Sequence, residues 1–456
     1  MYKEDTIAAV ATPPGEGGIA IVRISGPDAE QIVGTLFCQN NGRNGTLKSH
    51  ALYHGRIRDP RSGAVLDEVL LTVMRKPRSY TGETVVEVQC HGGVFLVREI
   101  LRLILSQGAR HAEPGEFTKR AFLNGRIDLA QAEAVLDLIQ ARTQEGVSLA
   151  VKQAQGGISD WVDAMRNSLL DCIVQVEAAI DFPEEEIELL QRDQLTQKIS
   201  KFGDEIRQII STYEWGRLYR EGARVCICGR PNVGKSSLLN TLVGEERVIV
   251  TPVPGTTRDV VEESLNLGGL SVVLWDTAGL RETEDQVERI GVDLSKRYIE
   301  KADLVMLVLD GSKELTADDE SLLRKIDKKM MVVLNKDDLP RNLNRKALEA
   351  FHTDGIYSVS AKLGSGIEAL KNGLRDMLLG VNAESPIVIT NLRHKSALIR
   401  CENALNNVQK SLCENQPAEF VAVDLNDAKE ALEEIIGKVD NEDILERIFS
   451  QFCIGK

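Results

Sequence analysis

Residues 229–236 read GRPNVGKS and fit G-x-x-x-x-G-K-[ST], with Gly229, Gly234, Lys235 and Ser236 in the fixed positions. The apolar run Arg224-Val-Cys-Ile-Cys228 precedes this loop and Ser237-Leu-Leu-Asn-Thr-Leu242 follows it. That order predicts strand, loop and helix. A loop so placed aims successive backbone N–H groups and the positive end of a helix at a phosphate group. Lys235 is expected to reach the β- and γ-phosphates of a nucleotide, and the Ser236 hydroxyl to ligate Mg²⁺. Eight residues can match by chance, so the downstream companions carry the argument.

Those companions select the base and the reaction. Leu270-Ser-Val-Val-Leu-Trp275 reads as a strand and delivers Asp276-Thr277-Ala278-Gly279 at its end. Asp276 is placed to hold the Mg²⁺ shell, and the Gly279 N–H to sense the γ-phosphate. A second apolar run, Lys329 to Leu334, delivers Asn335-Lys336-Asp337-Asp338. The Asp338 carboxylate can accept from the guanine N1–H and 2-amino group together. Adenine lacks that pair of donors and would leave the acceptors unpaired. Ser360-Ala361-Lys362 follows a third short strand, Ile356 to Ser360, and completes the base pocket. Gly255-Thr256-Thr257-Arg258-Asp259 lies between the loop and Asp276, and Thr257 is the expected second Mg²⁺ hydroxyl. Five elements in this order predict a GTPase.

A chain of 456 residues has room for two to four domains. Met1-Tyr-Lys-Glu-Asp5 is charged and Ile7 to Val10 is too short for an apolar leader core, so no signal peptide is expected. No apolar run approaches the roughly 18 residues of a membrane helix. The eight cysteines form no C-x-x-C pair, which suits a reducing cytosol, and Cys226 and Cys228 read as core. The six histidines never fall at metal-ligand spacing. A net charge of −14 argues against a generic nucleic-acid binder. Residues 1–126, with 16 Lys and Arg against 13 Asp and Glu, stand at +3 and leave −17 for the rest. Electrostatics would therefore bring RNA to the first segment or to a basic partner.

Changes of period mark the domains. Residues 1–125 alternate short strand-like runs (Gly18 to Ile24, Val69 to Val73, Val85 to Gln89) with glycine turns. One helix, about Val94 to Gln107, interrupts them, giving an α+β unit. From Asp128 the period turns helical. Asp128 and Gln131 form a capping box, and Leu129, Ala132, Val135, Leu136 and Ile139 make one apolar stripe. Helical patterning runs to about Leu218. The nucleotide module spans 222–380, and helices resume afterwards with a stripe at Ala428, Leu432, Ile435 and Ile436 before a stop at Gly437. The expected fold is multidomain. It has an α+β domain at 1–125, a helical domain at 126–221 and 381–456, and an α/β P-loop GTPase inserted at 222–380.

Many switch GTPases orient the attacking water with a glutamine directly after the D-x-x-G glycine. Here that position is Leu280. Arg281, Glu282, Glu284, Asp285 and Glu288 lie in the following loop, and Arg258 and Arg281 are the candidates for an internal arginine finger. Catalysis is then either slow or completed by dimerisation or a bound cation.

Across essentially its whole length the chain resembles the tRNA-modification GTPase family MnmE, also called TrmE. The resemblance rests on Ala11-Thr-Pro-Pro-Gly-Glu-Gly-Gly18, Val22-Arg-Ile-Ser-Gly26, Tyr80-Thr-Gly-Glu83, His91-Gly-Gly93 and Pro114-Gly-Glu-Phe-Thr-Lys-Arg-Ala-Phe-Leu-Asn124. It continues through Asp128-Leu-Ala-Gln-Ala-Glu-Ala134, Glu177-Ala-Ala-Ile-Asp-Phe-Pro183, the GTPase motifs and the terminal Phe452-Cys-Ile-Gly-Lys456. Arg126 stands where some relatives have lysine.

The resemblance implies a tetrahydrofolate-binding-like first domain that dimerises, a helical domain and an inserted GTPase. The family acts in the cytoplasm with the FAD-containing partner MnmG, in a heterotetramer or larger complex. Together they build a carboxymethylaminomethyl group on the wobble uridine of certain tRNAs. The carbon comes from a tetrahydrofolate derivative, in the 5-formyl or 5,10-methylene form. Matching positions imply folate contacts at Arg23, Glu87, Arg126 and Lys456. They imply K⁺ in place of an arginine finger, held by Asn232, Thr251, Val253 and Thr256, and Mg²⁺ on Ser236 and Thr257. Glu288 would orient the water, so the catalytic set is Glu288, Lys235 and Asn232. Nucleotide contacts extend over Asn232, Val233, Gly234, Lys235, Ser236 and Ser237. They continue over Thr251, Pro252, Val253, Pro254, Gly255, Thr256 and Thr257, over Asp276, Thr277, Ala278 and Gly279, and over Asn335, Lys336, Asp338, Ser360, Ala361 and Lys362. Cys453 is expected to be structural, since no base or cation other than Lys456 lies near it in sequence. A ribosome-assembly or translation GTPase and a stand-alone folate enzyme are the rival classes. The first would need an RNA-binding appendage such as a KH domain, whose G-x-x-G loop has no suitable setting here.

Overall fold

The computed structural model describes residues 4–39, 46–181, 192–244, 262–276, 297–380, 387–438 and 442–456, without the side chains of residues 262 and 276. Two compact units divide the chain. One holds residues 1–136, 154–159 and 433–456, and the other residues 137–153 and 160–432.

The first unit is built on a seven-stranded sheet. In chain order its strands are β1 (Ile7–Val10), β2 (Gly17–Ser25), β3 (Phe37–Gln39), β4 (Leu52–Arg58), β5 (Val65–Met74), β6 (Val85–Gly92) and β7 (Arg110–His111). They lie in the order β3-β4-β5-β6-β2-β1-β7, and every pairing is antiparallel except β1 with β7. Alternation sorts their side chains. Val22, Ile24, Val86, Val88, Leu71 and Val73 enter one core with the helices Ala29–Leu36 and Val94–Ser106. Ile7 and Ala9 face the other way, toward Ala112, Phe117 and Tyr80.

Two helices rather than one interrupt these strands, Ala29–Leu36 and Val94–Ser106, and a third, Glu116–Leu123, follows β7. Ala29, Ile32, Val33 and Leu36 are all buried at helical spacing, a signal that is short but present in the sequence. The Asp128–Gln131 capping box forms as expected. The Gln131 N–H donates to Asp128 Oδ1 at 2.8 Å, and the Asp128 N–H to Gln131 Oε1 at 3.0 Å. Leu129, Ala132 and Leu136 then pack with Phe449 and Phe452.

In the second unit the Arg192–Ser211 helix packs along Leu392–Cys413, with Arg207 donating to Glu402 at 3.3 Å. The helix Tyr213–Glu221 ends at Gly222, whose φ of 83° suits a residue without Cβ. The chain then enters a six-stranded sheet of β8 (Ala223–Cys228), β9 (Glu262–Leu267), β10 (Leu270–Asp276), β11 (Leu304–Asp310), β12 (Met330–Asn335) and β13 (Gly355–Ser358). The order is β13-β12-β11-β8-β10-β9, parallel except for the edge strand β9. β11 and β12 are buried almost throughout, as expected of parallel strands covered on both faces. After the Ile367–Leu379 helix the chain returns beside its point of entry. The Ile389 N–H donates to Thr212 Oγ1 at 3.1 Å, and a Cβ on Gly216 would strike the Ile389 carbonyl oxygen. Entry and exit are adjacent, which is the geometry of an inserted module.

Candidate nucleotide site and basic cluster

β8 is the first strand of its sheet, and the chain places the next strands on opposite sides of it, β10 on one and β11 on the other. A strand order that reverses there opens a crevice at the carboxyl ends. GRPNVGKS occupies that end, its last two residues opening the helix Lys235–Val243. Asp276 closes β10, Asn335 closes β12, and Ser360-Ala361-Lys362 follows β13. One edge of one sheet thus collects four motifs spread over more than a hundred residues.

Sterics dictate the glycines of the loop. Gly229 has φ 141°, and a Cβ there would run into the Val308 carbonyl oxygen. Gly234 has φ 96°, and a Cβ there would strike Asn335 Nδ2. Asn232 is also left-handed at φ 65°, a conformation asparagine tolerates better than most residues. Lys235 is buried, and its ammonium donates to the carbonyl oxygens of Gly229 at 2.9 Å and Arg230 at 2.7 Å. Ser236 is the second residue of the helix, where a hydroxyl can join a cation shell beside phosphates. Arg230 ties the loop to the Ala317–Lys325 helix through Asp319 at 3.2 Å.

The base-side residues form one network. Asn335 Nδ2 donates to the Val233 carbonyl at 2.9 Å, while Asn335 Oδ1 accepts from the Ala361 N–H at 3.0 Å. Ser360 Oγ donates to Asp338 Oδ1 at 2.6 Å. That bond outweighs the small desolvation and holds the Asp338 carboxyl below the ordinary aspartate range. The carboxylate is therefore ionised and acceptor-only, as guanine recognition requires. The Lys336 ammonium donates to the Asn232 carbonyl at 2.9 Å and to Asp310 Oδ2 at 2.7 Å. Asp310 ends β11, opposite Asn335 in the register, and sequence reasoning passed over it. Its signal was an apolar strand of the parallel sheet that, like β10 and β12, ends on a polar residue at the loop edge.

Thr251, Pro252, Val253, Pro254, Gly255, Thr256, Thr257, Thr277, Ala278, Gly279 and Glu288 lie outside the described residues, as do Arg258 and Arg281 and the Asp276 side chain.

The first unit carries a second cluster. Arg23 on β2 and Glu87 on β6 are cross-strand partners, and Arg23 Nε donates to Glu87 Oε1 at 2.8 Å. Both are mostly buried, at 16% and 17% side-chain exposure, so this is not a solvated sheet face. The Arg23 guanidinium lies 5.7 Å from the ring centres of both Tyr80 and Phe117. Its Nη1 donates to the Gly455 carbonyl at 3.3 Å, which brings in the carboxyl-terminal tail. The Phe117 N–H donates to the Lys456 carbonyl at 3.2 Å, and Pro114 bridges Ile454. A Cβ on Gly455 would strike the Val10 carbonyl oxygen, so that position of the terminal motif is read by packing. Burial pushes the Lys456 ammonium below the usual lysine range, and the positive Arg23 pushes it further. Arg126 is exposed, with Nε donating to the Ser79 carbonyl at 3.0 Å next to Tyr80. Cys453 is exposed in the same tail.

This sheet, with its phosphate loop and guanine-side network, defines a P-loop GTPase, a GTP hydrolase. Family models place the particular kind. Residues 129–453 match the MnmE helical domain, and residues 6–126 match the GTP-binding protein TrmE N-terminus. The tRNA modification GTPase MnmE of Alkaliphilus oremlandii is 46% identical over 461 residues, covering 100% of both chains. Those of Carboxydothermus hydrogenoformans and Syntrophus aciditrophicus are 45% and 46% identical, each covering 99% of this chain and 100% of the relative. The chain belongs to the MnmE family. Among solved structures, the G domain of the T. maritima FeoB iron transporter is 27% identical over 34% of this chain and 98% of its own, with a TM-score of 0.28. No helix among the described residues is long and apolar enough to cross a membrane.

Proposed function

We propose that this GTP hydrolase drives the modification of tRNA wobble uridines, acting in the cytoplasm as a homodimer with an FAD-containing MnmG partner. Supporting this are the full-length relatives named tRNA modification GTPase and, above all, the coexistence in one chain of a guanine-nucleotide site and a separate Arg23–Glu87–Lys456 cluster. The proposed division is 1–125 for folate and dimerisation, 126–221 and 381–456 for the helical domain, and 222–380 for the GTPase.

In the first domain Arg23, Glu87, Lys456 and Arg126 would hold a tetrahydrofolate derivative, the one-carbon source for a carboxymethylaminomethyl group. The chemistry of the cluster fits such a ligand. A carboxylate suits the donor edge of a pterin, the cations suit an anionic glutamate tail, and the Tyr80 and Phe117 rings supply flat apolar surface.

In the GTPase, Asp338 with Asn335, Lys336, Ser360, Ala361 and Lys362 selects guanine. Lys235 steadies the β- and γ-phosphates, and Glu288 orients the attacking water. Ser236 and Thr257 are the proposed Mg²⁺ ligands, and Asn232, Thr251, Val253 and Thr256 the proposed K⁺ ligands. Asn232 fits that role because its left-handed backbone is pinned by Lys336 at the mouth of the phosphate loop. Bound there, the two cations supply positive charge where the phosphates gain negative charge.

Mass spectrometry of wobble uridines from a deletion strain tests the proposal. Loss of the modified base is expected. Intact modification with accumulated ribosomal precursors would transfer the chain to ribosome assembly, and one-carbon transfer by the purified chain without GTP or partner would make it a folate enzyme.

A further inference from the structure

The Lys336 ammonium is shared between two fixed points on different elements. One is the Asn232 carbonyl in the phosphate loop, at 2.9 Å, and the other is Asp310 Oδ2 at the end of β11, at 2.7 Å. Asp310 is itself held. Its Oδ1 accepts from the Ser312 hydroxyl at 2.6 Å and from the Ser312 N–H at 3.1 Å. The Asp310 side chain is 8% exposed and that of Lys336 30%, so the pair has a buried carboxylate and a half-buried ammonium. Lys336 and the phosphate-loop residue it contacts both have positive φ without being glycine, 65° at Asn232 and 67° at Lys336. Such conformations cost energy and persist only where surrounding contacts impose them.

We propose that Asp310 is a positioning residue for nucleotide turnover, fixing the Lys336 ammonium so that it fastens the guanine-recognition loop to the phosphate loop through the Asn232 carbonyl. Asp310 touches neither base nor phosphate in this scheme. It acts through Lys336, and Ser312 keeps the carboxylate turned toward that lysine. Burial raises the Asp310 carboxyl, but the bonds from Lys336 and Ser312 outweigh it and hold the group below the ordinary aspartate range, so the charge is present at neutral pH. The consequence is a shared fate for the two halves of the site: loosening the base loop also loosens the turn that carries Asn232.

The inference rests on the nucleotide-site assignment above. Asp338→Asn tests that assignment separately, through base preference, so the two can fail independently. The test here is the release rate of fluorescent GDP from the full chain, followed by stopped flow, with the unfolding midpoint as a folding control. Asp310→Asn keeps the shape and removes the charge, and it is expected to speed release about tenfold, the scale of one charge-assisted hydrogen bond. Lys336→Met is expected to speed release as well. Adding Asp310→Asn to Lys336→Met should then change the rate by less than about twofold, because the carboxylate has lost the group it acts on. Ser312→Ala, which leaves both charges in place, should give a smaller increase of about threefold, and it keeps the idea testable if Asp310→Asn does not fold. Release by a folded Asp310→Asn protein within about twofold of wild type would overturn the proposal. So would an equal effect of Asp310→Asn on both Lys336 backgrounds, or unchanged release in Ser312→Ala.

Discussion

Under the proposed function, guanine specificity falls on the single side chain of Asp338. It sits on an exposed loop, and the Ser360 hydroxyl fixes its orientation and keeps it ionised. Replacing it by asparagine turns one acceptor into a donor that can meet the xanthine carbonyl oxygen. Competition assays should then show preference for GTP over XTP falling by roughly 100-fold or more. Retained guanine selectivity would refute the pocket.

Arg120 is the structural counterpart. It is 3% exposed and meets Glu83 at 3.2 Å, Glu116 at 3.0 Å and Asp5. Arg120→Met takes one cation from this group, leaving Arg110 on Asp5 and Glu116, and should cost about 3 kcal/mol in chemical denaturation. Burial raises the Glu116 carboxyl, but Arg110, the Glu113 N–H and Arg120 outweigh it and lower its folded-state pKa. A depressed pKa adds stability that is present above the unfolded value of about 4.3 and is lost as pH falls through the folded one. The urea midpoint should therefore drop more steeply below that pH in wild type than in Arg120→Met.

At the scale of elements, terminators were written more plainly than contents. The Asp128–Gln131 box forms as its spacing requires, and Asp128→Ala should cost about 1 kcal/mol by thermal denaturation. Gly437 ends the Ala418–Ile436 helix at φ 75°, with the Lys438 N–H donating to the Glu433 carbonyl at 3.0 Å. A Cβ there would come within 2.9 Å of Leu129 Cβ and the Phe122 ring, so Gly437→Ala should be the more damaging of the two. The phosphate loop and Asn335 were legible because each follows an apolar run that forms a largely buried strand, while Ser360 follows the half-buried β13. Strand β4 was missed because Leu52-Tyr-His-Gly-Arg-Ile-Arg58 is half exposed and carries few buried apolar residues. The Ala29–Leu36 helix was missed because eight residues hold only two turns of periodicity. For the Arg23–Glu87 pair, sequence offered the residue types. The partnership came from an antiparallel register 64 positions apart, which composition cannot reveal.

At the scale of the whole molecule, the proposed function makes the nucleotide site an engine for chemistry elsewhere. If a monovalent cation completes that site, GTP hydrolysis should run faster in potassium than in sodium. Asn232→Ala should erase the difference while leaving nucleotide binding largely intact, and equal rates in both salts for the unaltered chain would defeat the cation assignment. The adjacency of Thr212 and Ile389 at the entry and exit of the inserted sheet gives the module a short, shared attachment to the helices. The most direct measurement joins both ends of the account: mass spectrometry of wobble uridines in a deletion strain supplied either with the natural chain or with Ser236→Ala. The natural chain should restore the modified base, and Ser236→Ala, stably expressed but deficient in GTP hydrolysis, should not. Equal restoration by both would show that the modification proceeds without the hydrolytic site and would contradict the proposed function.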